Sequence, residues 1–344
     1  MAFKDKTNVT MMALQQAFVR MMNSVAETPC GGGYTLFYIA GKGDWKHKKD
    51  WLCEKRYWSQ TGVQANRAGI CRRCYANGQT WMQLEDATDE SAIAPAFGED
   101  IPLWGLAGWN PNMEWCDILH AVWLGVGRDL CGSLLMQVAT HGDFAETSYD
   151  GRLRALHAKC QAWCSRNSIR PSTIEEVSLQ KLGVDALAYD FPLGPSKAYA
   201  IRETTSAELH APGVCAWALA KYGATLDSSG LWLEEEAAVA ALTFGDLFMA
   251  CYLEQSSKAI AEKKPLYRMR PKFHSVKCEL LNRLRQGSRL NHSHVGCFNE
   301  EDYVGQVTRM LKGAVHPLTL GKRALERMLL GINVHLANAQ QEQS

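Results

Sequence analysis

Two short signals, Cys71-Arg-Arg-Cys74 and His274-Ser-Val-Lys-Cys278, constrain this chain more than any other feature. A two-residue gap lets two thiolates reach one tetrahedral metal, and a histidine and a cysteine four apart project from one face of a helix. If all four side chains share an ion, residues 71 and 278 are neighbours in space and the roughly 200 residues between them form a closed loop. The bland alternative is two unrelated pairs of core residues.

The rest of the composition permits such a fold without demanding it. The chain has 344 residues, 47% hydrophobic and 21% charged, values that exclude a disordered, collagen-like or coiled-coil protein. That length suits one large domain or a core carrying an insertion. The net charge of +1 hides an asymmetry: Tyr75 to His120 carries eight acidic residues and no Lys or Arg, whereas Lys258 to His294 carries ten Lys or Arg against Glu262 and Glu279. A polyanion partner is therefore not excluded. Twelve cysteines are too sparse for a disulfide scaffold. The opening MAFKDKTNVTMMALQQ has no apolar core of signal-peptide length, and the sequence reads as having no 18-residue apolar run anywhere, so the expectation is a reduced, intracellular, soluble protein.

Periodicity predicts a helix over 8–26, stopped by Pro29 and the run Gly31 to Gly33. Tyr34 to Ala40 (YTLFYIA) has the texture of a buried strand, which puts Asp44 just past a strand's carboxyl end. Lys46 to Trp58 is helical in spacing, Gly69 to Cys71 strand-like, and Gln79 to Trp115 irregular. Asp117 to Val138 is long, apolar and helical. Further helices are expected at about 150–166, 173–182, 234–258, 272–287, 300–314 and 320–338, with breaks at Pro171, Pro192, Pro195, Pro212, Pro265 and Pro317.

Other residues carry possible chemistry. Asp117 and His120, three apart on a helix, suit either a metal contact or a salt-linked pair that orients the helix. Asn299 is a good N-cap, so Glu300, Glu301 and Asp302 fall in a helix's first turn, either complementing its dipole or holding a divalent metal with Asp44. Two-metal phosphoryl chemistry needs carboxylates that set two ions about 4 Å apart. Arg268, Arg270, Lys272, Lys277, Arg283, Arg285 and Arg289 are either a phosphate-binding stretch or a solvated helix face. Hydrolase elbows, P-loops and dinucleotide fingerprints are absent.

Taken in order, strand-Asp44, Cys71-x-x-Cys74, Asp117-x-x-His120, His274-x-x-x-Cys278 and helix-Glu301 resemble the catalytic domain of DDE/D transposases. The nearest branch is that of transposable elements of the hAT, Kyakuja-Dileera-Zisupton and Plavaka types. The resemblance implies an α/β plus mainly α fold: an RNase H-like core interrupted by a large helical insertion. Partial core would span 8–76, insertion 77–290 and closing helices 291–338. It implies Asp44 and Glu301 as catalytic acids, structural zinc on Cys71, Cys74, His274 and Cys278, an insertion motif at Asp117 and His120, and nuclear DNA as partner. Cys278 departs from the commoner His. The first acid and the first three strands are also missing, so the expected protein is an N-terminally truncated, inactive remnant that retains zinc and nucleic-acid affinity, with Mg relevant only to an active form. Two competing expectations remain: a zinc-stapled helical protein-interaction module, and an intact metal-dependent phosphodiesterase drawing a third carboxylate from Asp129, Asp185 or Asp246.

Overall fold

The computed structural model describes residues 8–28, 38, 40–56, 69–85, 97, 100–168, 175–184, 207–299 and 301–302. Most of them are helical, and the described strands form one two-stranded parallel sheet. Helix α1 (Asn8–Glu27) matches its expected span. Its inner face carries Val19 and the buried Gln15 against Leu52, Leu103 and Trp109, a small apolar cluster separate from the main core. Asn23 fastens it there, donating to the Gly105 carbonyl and accepting from the Ala107 amide, both at 2.9 Å.

Strand β1 (Gly41–Gly43) pairs in parallel with β2 (Glu114–Cys116), in the register Gly41 to Glu114 and Gly43 to Cys116. Asp44 follows β1 directly, as its sequence position predicts, and β2 lies within the stretch that the sequence assigns to the helical insertion. Residues 34–37 and 39 of the expected strand lie outside the described residues. Helix α2 (Trp45–Asp50) begins where the Asp44 carboxylate accepts from the His47 amide at 2.7 Å. A short polar side chain at that point satisfies an amide the helix leaves over.

The main core is helical. A π-helical segment (Leu119–Val126), kinked at Gly125, runs into α3 (Gly127–His141), so the long apolar stretch folds as expected. Helix α4 (Tyr149–Arg166) follows, capped by the Ser148 hydroxyl on the Gly151 amide. Helices α5 (Ala207–Asp227) and α6 (Glu235–Ala261) form a hairpin against α3. Helix α7 (Pro271–Ser275) continues through a π-helical turn (Val276–Leu281) into α8 (Asn282–Arg285). Phe248, Tyr252, Tyr267 and Phe273 are fully buried where these elements meet, each worth about 1.5–3 kcal/mol relative to exposure. Helix α6 is long and apolar enough to cross a membrane; it packs here on α5 and carries part of the core.

Several expectations need correction: α2 ends at Asp50, short of the expected Trp58, and Asn299, expected as an N-cap, lies inside a helix that has already begun at Phe298. Residues 175–178 are irregular and 179–183 form a turn, not a helix, with Leu182 and Val184 buried and Gly183 at φ +68°, a conformation that ends regular structure. Gly69 to Cys71 is not a strand but the entry to a tight turn. Pro212, read as a break, lies inside α5 near its start: the missing amide costs one hydrogen bond, and burial of Cys215, Ala218, Leu219, Tyr222 and Leu226 outweighs it. The closing helices beyond residue 302 lie outside the described residues.

Candidate metal centre and the carboxylate edge

The first half-site is a turn that the sequence folds on itself. Ile70 N donates to Ala76 O at 2.9 Å, closing residues 70–76 into a loop. Inside it the Arg73 amide points at Cys71 Sγ and the Ala76 amide at Cys74 Sγ, each at 3.4 Å. Amides two residues past each cysteine stabilise sulfur as thiolate, the form that binds metal. The second half-site lies where α7 passes into the π-helical turn, with His274 and Cys278 facing the loop.

The ligand atoms of Cys71, Cys74, His274 and Cys278 all lie within 4.8 Å of one another, and all four residues are buried. Cys74 Sγ stands 3.2 Å from His274 Nε2, close to the sulfur–nitrogen edge of about 3.5 Å in a tetrahedral zinc site. His274 Nδ1 lies 3.1 Å from the Trp81 carbonyl. A carbonyl can only accept, so Nδ1 carries a proton toward it and Nε2 is the ring nitrogen turned toward the thiols. Metal-bound histidines are commonly oriented by such a contact.

The electrostatics fit the same use. Hydrogen bonds with Cys278 and Cys74 hold the Cys71 thiol well below its usual range, and contacts with Cys71 and Cys74 push Cys278 up. Burial alone would lower the His274 pKa, but the Cys71 thiolate lifts it to about 10. Metal binding must therefore displace protons. These residues fit a metal such as zinc. Among the described residues, no other group of three or more His, Cys, Asp or Glu side chains converges in this way.

A buried ion network lies beside the centre. Lys48 on α2 contacts Glu279 at 2.5 Å, and Arg72 contacts Glu279 at 3.0 Å and Glu54 at 3.2 Å, all four side chains less than a tenth exposed. Arg72 and Arg283 also both donate to the Glu114 carbonyl in β2. Burial would raise Glu279, but Lys48 and Arg72 outweigh it and keep its pKa low; burial dominates at Glu54 and pushes it up to about 7. The sequence reading missed this network. Its only trace is position: Arg72 sits inside the cysteine pair, and Glu279 follows Cys278.

A second feature occupies the carboxyl end of the strand pair. Asp117 directly follows β2 and is 1% exposed. Its Oδ1 accepts from the Leu119 and Cys297 amides at 2.9 Å each, and its Oδ2 contacts His120 Nδ1. His120 Nε2 faces Glu301 Oε1 at 3.7 Å. Lys42 of β1 donates to the Gly296 carbonyl at 3.0 Å, so Gly296, Cys297 and Glu301 close over this end. Asp44 stands on the neighbouring strand as the cap of α2. No third carboxylate joins Asp44 and Glu301 into a metal cluster among the described residues.

The basic residues scatter instead of forming one face. Arg283 is buried, donating to Asn112 O at 2.8 Å with its guanidinium 3.7 Å from the centre of the Trp115 ring. Arg270 pairs with Asp129 at 2.9 Å, Arg285 with Asp246 and Arg289 with Glu235. Arg268 is exposed and Lys272 half-buried, with its ammonium 3.4 Å from Leu124 O. These pairings also occupy Asp129 and Asp246, two of the carboxylates considered for a phosphodiesterase; Asp185 lies outside the described residues.

Comparison with protein-family models, curated proteins and solved structures finds no match.

Proposed function

We propose that this chain is a transposase-derived protein: a zinc-stapled scaffold built on part of an RNase H-like core, with a residual role in nucleic-acid binding. The convergence of Cys71, Cys74, His274 and Cys278 supports a zinc staple, which this reading shares with the one below. The observation that carries the transposase reading is the parallel strand pair. Each strand ends in an acid, Asp44 or Asp117, and the segment bearing Glu301 closes over the same end.

Zinc in this site is structural, since four protein donors leave no open position for substrate. A working nuclease needs carboxylates for two ions, and among the described residues Asp44, Asp117 and Glu301 form no such cluster, with Asp117 already engaged by His120 and two amides. The reading is therefore a binding scaffold and not a nuclease. Binding is tested with zinc-loaded protein and labelled duplex DNA across a salt series. The expected result is an affinity that falls steeply with salt and weakens further in Arg268→Glu/Lys272→Glu. DNA that fails to bind at low salt contradicts the nucleic-acid role.

The ion pairs of Arg270, Arg285 and Arg289 and the burial of Arg283 favour a second reading, a zinc-stapled module that docks a protein. Zinc loading without DNA binding is its signature.

A further inference from the structure

The two segments that supply the metal donors also supply the buried charges beside them. Arg72 stands between Cys71 and Cys74, and Glu279 follows Cys278. Their partners come from elsewhere: Lys48 from α2, four residues past Asp44, and Glu54 from the turn after that helix. Arg72 further reaches the Glu114 carbonyl at the start of β2. Closing the metal site and assembling the ion network are thus one event, because the same backbone segments carry both.

The energetics make the coupling steep. A buried charge that loses its partner is strongly unfavourable, and partners in the second layer around a metal orient its ligands. If ligation lapses, the segments at 71–74 and 274–279 are free to part. Lys48 and Glu54 then face an apolar interior without their counterions, and α2 gains by swinging them to water.

We propose that Lys48, Glu54, Arg72 and Glu279 are positioning residues through which metal ligation is transmitted to α2 and the strand pair, so that Asp44 and the end of β1 are held in place only in the metal-loaded protein. This rests on the reading of the centre as a zinc site. Reciprocally, the network tightens the metal: Lys48 is not among the four donors, yet fixes Glu279 one residue from Cys278.

Two measurements test it. In the first, amide hydrogen exchange of the wild-type protein is followed before and after removal of metal by a strong chelator. Exchange is expected to rise in residues 44–54 and 114–116 together with 70–81 and 271–281, and acceleration confined to the last two segments overturns the proposal. In the second, cobalt(II) is titrated into wild type, Lys48→Met, Glu279→Gln and the double variant, with the thiolate-to-cobalt absorption as the signal. Each single change should weaken affinity on the order of 10–100-fold, and the double change by clearly less than the product of the two. Wild-type affinity in both single variants, or losses that simply multiply, overturns the coupling. Wild-type protein that takes up no cobalt or zinc overturns the reading beneath it, an outcome distinct from the others.

Discussion

At the scale of single residues, side chains of opposite tendency are held together by direct hydrogen bonds at the end of β2. Asp117 shows the logic. Burial raises its pKa, but the hydrogen bond from His120 and those from the Cys297 and Leu119 amides more than compensate, and it ends below the usual carboxylate range. The same hydrogen bond raises His120 above 6.5, with Glu301 adding to the rise and Lys272 opposing it. The signs give a window. The imidazole's contribution is complete below pH 6.5 and is lost as pH rises through its folded value; the carboxylate's is present above pH 3.8 and is lost as pH falls through its folded value. His120→Ala should therefore lower thermal stability most between about pH 4.5 and 6, with the difference shrinking toward pH 9. A pH-independent difference contradicts the pairing. His274 and the cysteines were legible from sequence because donor spacing is a local property. The ion network was not, since nothing in the neighbourhood of Lys48 announces a carboxylate 231 residues away.

At the scale of elements, close packing sets the margins. Gly245 lies on the inner face of α6, where a Cβ would run into the Leu281 side chain. Ala favours a helix over Gly by about 1 kcal/mol, whereas overpacking costs about 1–3 kcal/mol. Gly245→Ala is thus expected to lower stability by up to about 2 kcal/mol in denaturant melts, and a stabilised variant would show that this face is loosely packed. Phe248→Ala leaves a cavity in the α5–α6 seam and should cost about 3–5 kcal/mol, read the same way. Helices with strong periodicity or clear caps, α1, α4 and α6, were readable in advance. Helix α5 was not, because the Pro212 rule is local and the burial that overrides it is tertiary. Gly69 to Cys71 reads as a strand because three residues of sequence cannot distinguish an extended piece from a turn's entry.

At the scale of the molecule, ligation joins chain segments that sequence keeps far apart. Cys74 and His274 meet across 200 residues, and closing a loop of that length carries an entropic cost that one strong site can offset. The centre lies between the main helical core and the strand pair, with Cys278 buried against Ile70, Ala76 and Trp81. Residue spacing made the two half-sites legible and the transposase resemblance paired them; spacing alone cannot, since their meeting depends on how α3, α5 and α6 pack between them. Metal content is the most direct test of the account. Protein purified from zinc-replete medium is analysed for metal by elemental analysis and native mass, beside Cys71→Ser. The account predicts one zinc per chain in the wild type, none or substoichiometric zinc in the variant, and a thermal transition several degrees lower without it. A wild-type protein that carries no metal, and whose melting is unchanged by Cys71→Ser, would contradict it.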